Sequence, residues 1–379
     1  MMAARCTRTR VAAFAGVNAV ARSLRQAMAV TWMAGAMAAA VPVAAQAQGA
    51  VSPSASAVVP MGVMGDSNSH SYQDAVSFPP GSRERGGVLR AKTFQWTEVL
   101  ARLRPGVIDL GPWETSGQGR LGAKANEFLG RPGERSPRRQ DYRYNMAYSG
   151  AGCHSLVAGA LRQVQPLLAV MGPDAPRWRQ GVVVIRIGMI PLSDPGLLDA
   201  LARDPAAPTV QAEVQGCLRD VEQAVRLIRA AHPQTRIVLV GIFDDSNDPV
   251  NFGRWRSREA LDNMAKGLDR FDGGLRELAK RSPNVSFFDD RAFFRGLWGQ
   301  RDAQGAPAYR SLDLGPRLPA VSLSLGDEPR HALVADDHWG LVMNVLWAQA
   351  LSRHLKAVGL PVAPIEDGEV RNFIDAQLR

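Results

Sequence analysis

The chain has 379 residues, 46% of them hydrophobic, and its 45 Lys and Arg against 36 Asp and Glu leave a formal net charge of +9. That length suits one large domain or two small ones. Five arginines fall within the first 25 residues, and without them the net charge drops to +4, too little to argue for a nucleic-acid partner; the remaining arginines read as a mixed, solvated surface.

The first segment reads as an export signal. Arg5, Arg8, Arg10, Arg22 and Arg25 form a positive start, an Ala-rich apolar run covers 27–45, and Ala45-Gln46-Ala47 has the small-x-small form of a signal-peptidase site. Cleavage after Ala47 is expected, giving a periplasmic or secreted protein with no stable membrane insertion. A retained anchor is the alternative, weakened by Pro42 within the run. Residues 48–57 are a Ser/Ala/Pro linker. Cys153 and Cys217 then remain; in an oxidising compartment they can pair, or they can stay as two buried thiols.

From residue 58 onward, apolar runs alternate with helical patterns. Strands are predicted over 58–64, 106–110, 182–187, 236–242 and 284–288, most of them short, apolar on both faces and β-branched, as buried parallel strands are. Helices are predicted over 210–231, 257–280 and 341–358, the last ended by Gly359 and Pro361. The alternation predicts an open α/β sheet with helices on both faces. Two stretches interrupt it, 111–144 and 297–330, rich in Gly, Pro and Arg, and both are candidates to border a site.

In such a sheet, ligands bind beyond the carboxyl ends of the strands. Gly65-Asp66-Ser67 follows the first strand, and "VADDHWG" places His338 just before the last helix. A serine early and a histidine late can meet if both loops share that edge, with His338 taking the Ser67 proton. Between them "NMAYSGAG" sets Asn145, Ser149 and Gly150 at an N-x-x-x-S-G spacing. These blocks together resemble the SGNH/GDSL hydrolase superfamily. The resemblance covers about residues 58–355 and implies a flavodoxin-like, three-layer α/β/α sandwich on a mainly parallel five-stranded sheet, one domain over 58–379 with insertions at 111–144 and 297–330. It implies Ser67 as nucleophile, His338 as general base and an oxyanion hole from the N–H groups of Ser67 and Gly150.

Two positions depart from the family pattern. "VVVIRIGMIPLSD" keeps Gly188 but has Ile190 where an oxyanion Asn belongs, and isoleucine donates no hydrogen bond. Asn247 is a possible substitute, although a turn role fits it better. The acid expected three before His338 is Ala335; Asp336 and Asp337 stand two and one before it. The Asp-x-His spacing also occurs among SGNH-type acetyltransferases, so Asp336 is taken as the orienting acid.

Other residues carry blander readings. His70 and His154 lack recognised metal-ligand spacing and read as surface or supporting residues; neither metal nor cofactor is expected. Asp244, Asp245 and Asp248 read as a solvated turn, His232 and His354 as surface residues near helix ends, and the arginines of 131–143 as part of a flexible, solvated loop. Trp113, Trp255, Trp298 and Trp339 are either stacking surfaces or core anchors. The expected activity is hydrolysis of a small-molecule or glycan ester through an acyl-enzyme on Ser67. The alternatives are an O-acetyltransferase or deacetylase acting on a cell-envelope polysaccharide, and a degenerate member that binds a glycan or lipid.

Overall fold

The computed structural model describes residues 58–131 and 133–379. The expected signal (1–47) and linker (48–57) lie outside the described residues. In chain order the strands are β1 (Val59–Gly65), β2 (Ile108–Asp109), β3 (Trp113–Ser116), β4 (Arg139–Tyr142), β5 (Val182–Arg186), β6 (Arg236–Val240), β7 (Val285–Phe288), β8 (Ser322–Leu325) and β9 (His331–Leu333).

The central sheet runs β2-β1-β5-β6-β7 with every neighbouring pair parallel. Its strands are apolar on both faces because both faces are covered. Val59, Met61, Val63, Val182, Val184, Val238 and Val240 pack on one side, with the helices Trp96–Leu103 and Leu341–Ala357. Met64, Val183, Ile185, Ile237 and Leu239 pack on the other, with Val164–Met171, Pro208–Ala231 and Arg258–Arg281. The alternation is the period of two of a strand, and the result is a three-layer α/β/α arrangement. Ser257 caps Arg258–Arg281 by accepting from the Ala260 N–H, and Pro208 opens Pro208–Ala231, where its missing N–H costs nothing.

Parallel pairing puts all the carboxyl ends on one edge. Strand order reverses direction about β1, so the crevice beyond β1 and β5 is the topological switch point where an open α/β sheet receives ligands. The short β2 pairs only with Val59 and Pro60. Beyond it, residues 144–148 lie along β1: Val63 N–H donates to Tyr144 O (3.0 Å), Met146 N–H to Val63 O (2.8 Å) and Tyr148 N–H to Gly65 O (3.4 Å).

The stretch 111–144 is not a solvated loop. β3 and β4 form an antiparallel hairpin around the helix Arg120–Phe128, Arg139 is fully buried beside Asp141, and Arg135 is buried with its guanidinium on the Tyr142 carbonyl. The second irregular stretch carries β8, which pairs with β9 in parallel. Cys153 and Cys217 form a disulfide with Cα atoms 5.1 Å apart, closing a 64-residue span between the turn Cys153–Leu156 and helix Pro208–Ala231. In the chain-entropy account such a bridge stabilises by about 4 kcal/mol.

Candidate active site

Ser67 sits on a turn that the end of β1 holds tightly. Gly65 has no room for a side chain, since a Cβ there would lie 2.3 Å from the Arg186 carbonyl oxygen. The Gln163 side chain brackets Gly65, accepting from its N–H and donating to its carbonyl, both at 2.8 Å. Within the turn, Asp66 Oδ1 accepts from the Asn68 N–H (2.9 Å). Burial pushes the Asp66 carboxyl up, opposed by that N–H and by the Arg186 and His338 charges. Three side chains hold the turn's outward carbonyls. Gln95 Nε2 donates to Ser67 O (3.3 Å), Trp96 Nε1 to Asn68 O (3.0 Å) and Arg186 Nη1 to Asn68 O (2.9 Å).

Asn145 ties the second block to this turn. It is fully buried, donates to Ser69 O (2.8 Å) and accepts from the Ala147 N–H (3.0 Å). The chain then turns over Tyr148–Ala151, closed by Ala151 N–H to Tyr148 O (3.2 Å), with the exposed Gly150 at φ +84°, a left-handed conformation suited to glycine. Among the described residues neither the Ser67 nor the Gly150 N–H has an intramolecular acceptor.

His338 arrives on the loop between β9 and helix Leu341–Ala357, fixed by Val334 N–H to His338 O (2.7 Å). Trp339 beside it is held through its carbonyl by Tyr72 Oη and Asn344 Nδ2, both at 2.8 Å. The Arg186 guanidinium, which grips the serine turn, lies 4.1 Å from the Trp339 ring centroid, joining the two loops through a cation–π contact. His338 Nδ1 lies 2.9 Å from Asp336 O and 3.3 Å from Asp336 Oδ1. Burial would raise the Asp336 carboxyl, but its bond to His338 and the Arg85 charge hold it down at about 2, so it is ionised at neutral pH. Asp337 turns away, at φ +65°, to face Asp248, and burial raises both carboxyls. Among the described residues no hydrogen bond joins Ser67 Oγ to His338.

The third block reaches the same crevice. The Ile190 carbonyl and side chain lie against Gly152, two residues beyond Gly150, and the side chain is 48% exposed. Asn247 ends the turn Asp245–Asn247, and its Oδ1 accepts from the Tyr309 hydroxyl. A cavity of about 630 Å³ is lined by Gln73, Arg83, Gly87, Arg90, Asp327 and Ala335, the last the chain neighbour of Asp336.

No family model matches the chain, and no curated protein matches it in sequence. In three dimensions it is similar to the lipase Lip_vut3 from a goat rumen metagenome, at 12% identity over 80% of this chain and 98% of that one, with a TM-score of 0.35. It is also similar to the salicylyl-acyltransferase SsfX3 of a tetracycline biosynthetic pathway, at 15% identity over 81% of this chain and 57% of that one, TM-score 0.35. A protein described as a GDSL-like lipase from Parabacteroides merdae is similar at 15% identity over 80% and 97%, TM-score 0.30.

Several blander readings change. Of the surface and supporting readings of His70, its burial leaves the second: it is 1% exposed, its Nε2 lies 2.9 Å from Asp74 Oδ2 and its Nδ1 3.0 Å from Ser149 Oγ. His154 lies far out of that arrangement, exposed near Asp220 at 3.9 Å. Asp245 and Asp248 are buried rather than solvated; Ser193 Oγ donates to Asp245 at 2.7 Å. His232 is buried and His354 half-buried against Ser286 Oγ at 2.9 Å. Trp255, Trp298 and Trp339 are buried, leaving Trp113 as the exposed member. Arg85, absent from every motif, is in the site, and no local pattern in the sequence marks it.

Proposed function

We propose that the chain belongs to the SGNH/GDSL hydrolases and is an exported serine esterase. The observation that carries this reading is the convergence on one sheet edge of three motif blocks: the anchored Ser67 turn, the Gly150 turn laid along β1, and the Asp336–His338 pair. Ser67 Oγ forms a bond to the ester carbonyl carbon while His338 Nε2 takes its proton. The alcohol leaves with that proton, and water, activated by the same imidazole, releases the acid and restores Ser67. Asp336, ionised and facing Nδ1, orients the ring and stabilises its protonated form. The open N–H groups of Ser67 and Gly150 receive the oxyanion. The Ile190 side chain contributes no donor, so this reading builds the hole from those two backbone groups. The reading requires Ser67 Oγ to come within hydrogen-bond reach of His338 Nε2 when substrate binds, as catalytic hydrogen bonds often tighten only then.

Export is supported by the N-terminal charge and apolar pattern and by the disulfide, which belongs to an oxidising compartment. A fluorophosphonate probe tests the chemistry: the reading expects a single adduct on Ser67 that His338→Ala prevents, together with hydrolysis of a short p-nitrophenyl ester. No adduct and no turnover would leave a binding protein in its place. A second reading, transfer of an acetyl group to a polysaccharide hydroxyl, is favoured by the Asp336-x-His338 spacing. It expects acetylated sugar in excess of free acetate when both acceptors are offered.

A further inference from the structure

We infer that Arg85 is a positioning residue for this reaction, the link through which the Gly150 turn and the Asp336–His338 pair are held in one geometry; this rests on the proposed esterase reading. Arg85 lies in a segment that no motif covers, yet it is 3% exposed and at φ +58°. That left-handed conformation is unfavourable for a residue with a side chain, so something local holds it. Its backbone N–H donates to Asp336 Oδ2 at 2.9 Å, and its Nη1 bonds the same oxygen. Nη2 donates to Ser149 Oγ at 3.1 Å; Nη1 also lies 2.8 Å from His338 Nδ1, a proximity and not a hydrogen bond in the proposed mechanism, where the Nδ1 proton is directed to Asp336. The guanidinium lies 4.8 Å from the Phe78 ring centroid and 5.6 Å from that of Tyr72, both buried.

The other side of Ser149 is equally fixed. His70 Nδ1 accepts from the Ser149 N–H (3.2 Å), which places the ring proton on Nε2, and that proton goes to Asp74. Burial pushes the His70 imidazole down from its ordinary value, while its bond holds the Asp74 carboxyl below the usual range against burial. With His70 Nδ1 as acceptor, the Ser149 hydroxyl donates to it at 3.0 Å and keeps its lone pairs for Arg85. A continuous chain then runs Asp74, His70, Ser149, Arg85, Asp336, His338. A flat guanidinium holds a hydroxyl and a carboxylate at fixed angles to each other; an ammonium, a compact charge with rotatable donors on a flexible stem, does not fix that geometry.

The test uses the full chain and the fluorophosphonate probe, with p-nitrophenyl acetate as substrate. Arg85→Ala is expected to slow labelling of Ser67 and kcat by about 10²-fold with little change in KM, the scale of misplaced catalytic groups. Added guanidinium ion, at concentrations that leave the fold intact, restores part of the rate. Arg85→Lys is expected to stay at least about tenfold slow, because it keeps the charge but loses the fork. If Arg85→Ala does not fold, Arg85→Lys carries the test. A folded variant that labels at the unaltered rate or faster overturns the inference. So does a slowed Arg85→Ala that guanidinium leaves unchanged, since that is a packing defect. If the unaltered protein takes the label on Ser149, or none at all, the esterase reading of Ser67 fails and the positioning role fails with it. A Ser67 adduct with indifferent Arg85 variants removes the positioning role alone.

Discussion

The turn after β1 and the loop after β5 end neighbouring parallel strands at the same crevice, and they differ in how they are built. The first is held at nearly every backbone group: Gln163 on Gly65, Arg186 and Trp96 on Asn68, Gln95 on Ser67. The second leaves Gly188 at φ +137° and presents an exposed isoleucine against Gly152. Sheet topology delivers both segments to the site; side-chain chemistry decides what each can do there. A rigid frame suits a group that must attack along one line, and an apolar side chain can only shape the space beside it.

The largest way to break that contrast is Ser67→Ala, which should cost about 10⁴-fold or more in kcat on p-nitrophenyl acetate, as loss of a nucleophile does elsewhere. A loss under tenfold would return Ser67 to an ordinary turn residue. Gly65→Ala attacks the frame instead of the chemistry. Its methyl would meet the Arg186 carbonyl at 2.3 Å, and an overpacking cost of about 3 kcal/mol should appear in urea unfolding. Undiminished stability would show that the turn has slack.

Asp248 tests the loop partner of His338's neighbour. Burial and the facing Asp337 push its carboxyl up to about 8. Between the unfolded value near 4 and that folded value, the unfolded chain gives up a proton that the folded one keeps, so stability falls as pH rises through the window. Below pH 4 both states hold the proton and nothing is lost. Asp248→Asn keeps an acceptor for the Val250 N–H (2.9 Å) and should gain about 1–2 kcal/mol at pH 8 with little change at pH 4. Equal effects at both pH values would contradict a raised Asp248 carboxyl. The smallest expected change is Ile190→Asn, which puts a donor where the apolar loop has none. A kcat gain of less than about tenfold is expected, because an unsupported donor is not preorganised. A loss would show that the isoleucine itself shapes the substrate space.

Much of the fold was legible in the residues. The five strands and the long helices 210–231, 257–280 and 341–358 lie within a few residues of their predicted bounds, because buried parallel strands are apolar on both faces and amphipathic helices keep their period. The stretch 111–144 was misread as loop because its polar residues find partners inside: Arg139 is paired with Asp141 and donates to Asn145 O, which composition cannot reveal. The same blindness makes Asp245 and Asp248 look solvated. Of the acids before His338, spacing favours Asp336; its Oδ1 lies 3.3 Å from His338 Nδ1, while the backbone at Asp337 turns left-handed toward Asp248.

By itself the sequence determined the candidates that are neighbours along the chain or sit at strand ends: Gly65-Asp66-Ser67, Asn145 to Gly150, Asp336 to His338. Periodicity locates strand ends, and a parallel sheet gathers them on one edge. Only the tertiary structure decided what joins those blocks. Arg85 meets Asp336 across 251 residues and Ser149 across 64, and His70 meets Ser149 across 79. Such contacts leave no local pattern, because they depend on where distant segments are packed and not on the spacing of residues along any one of them.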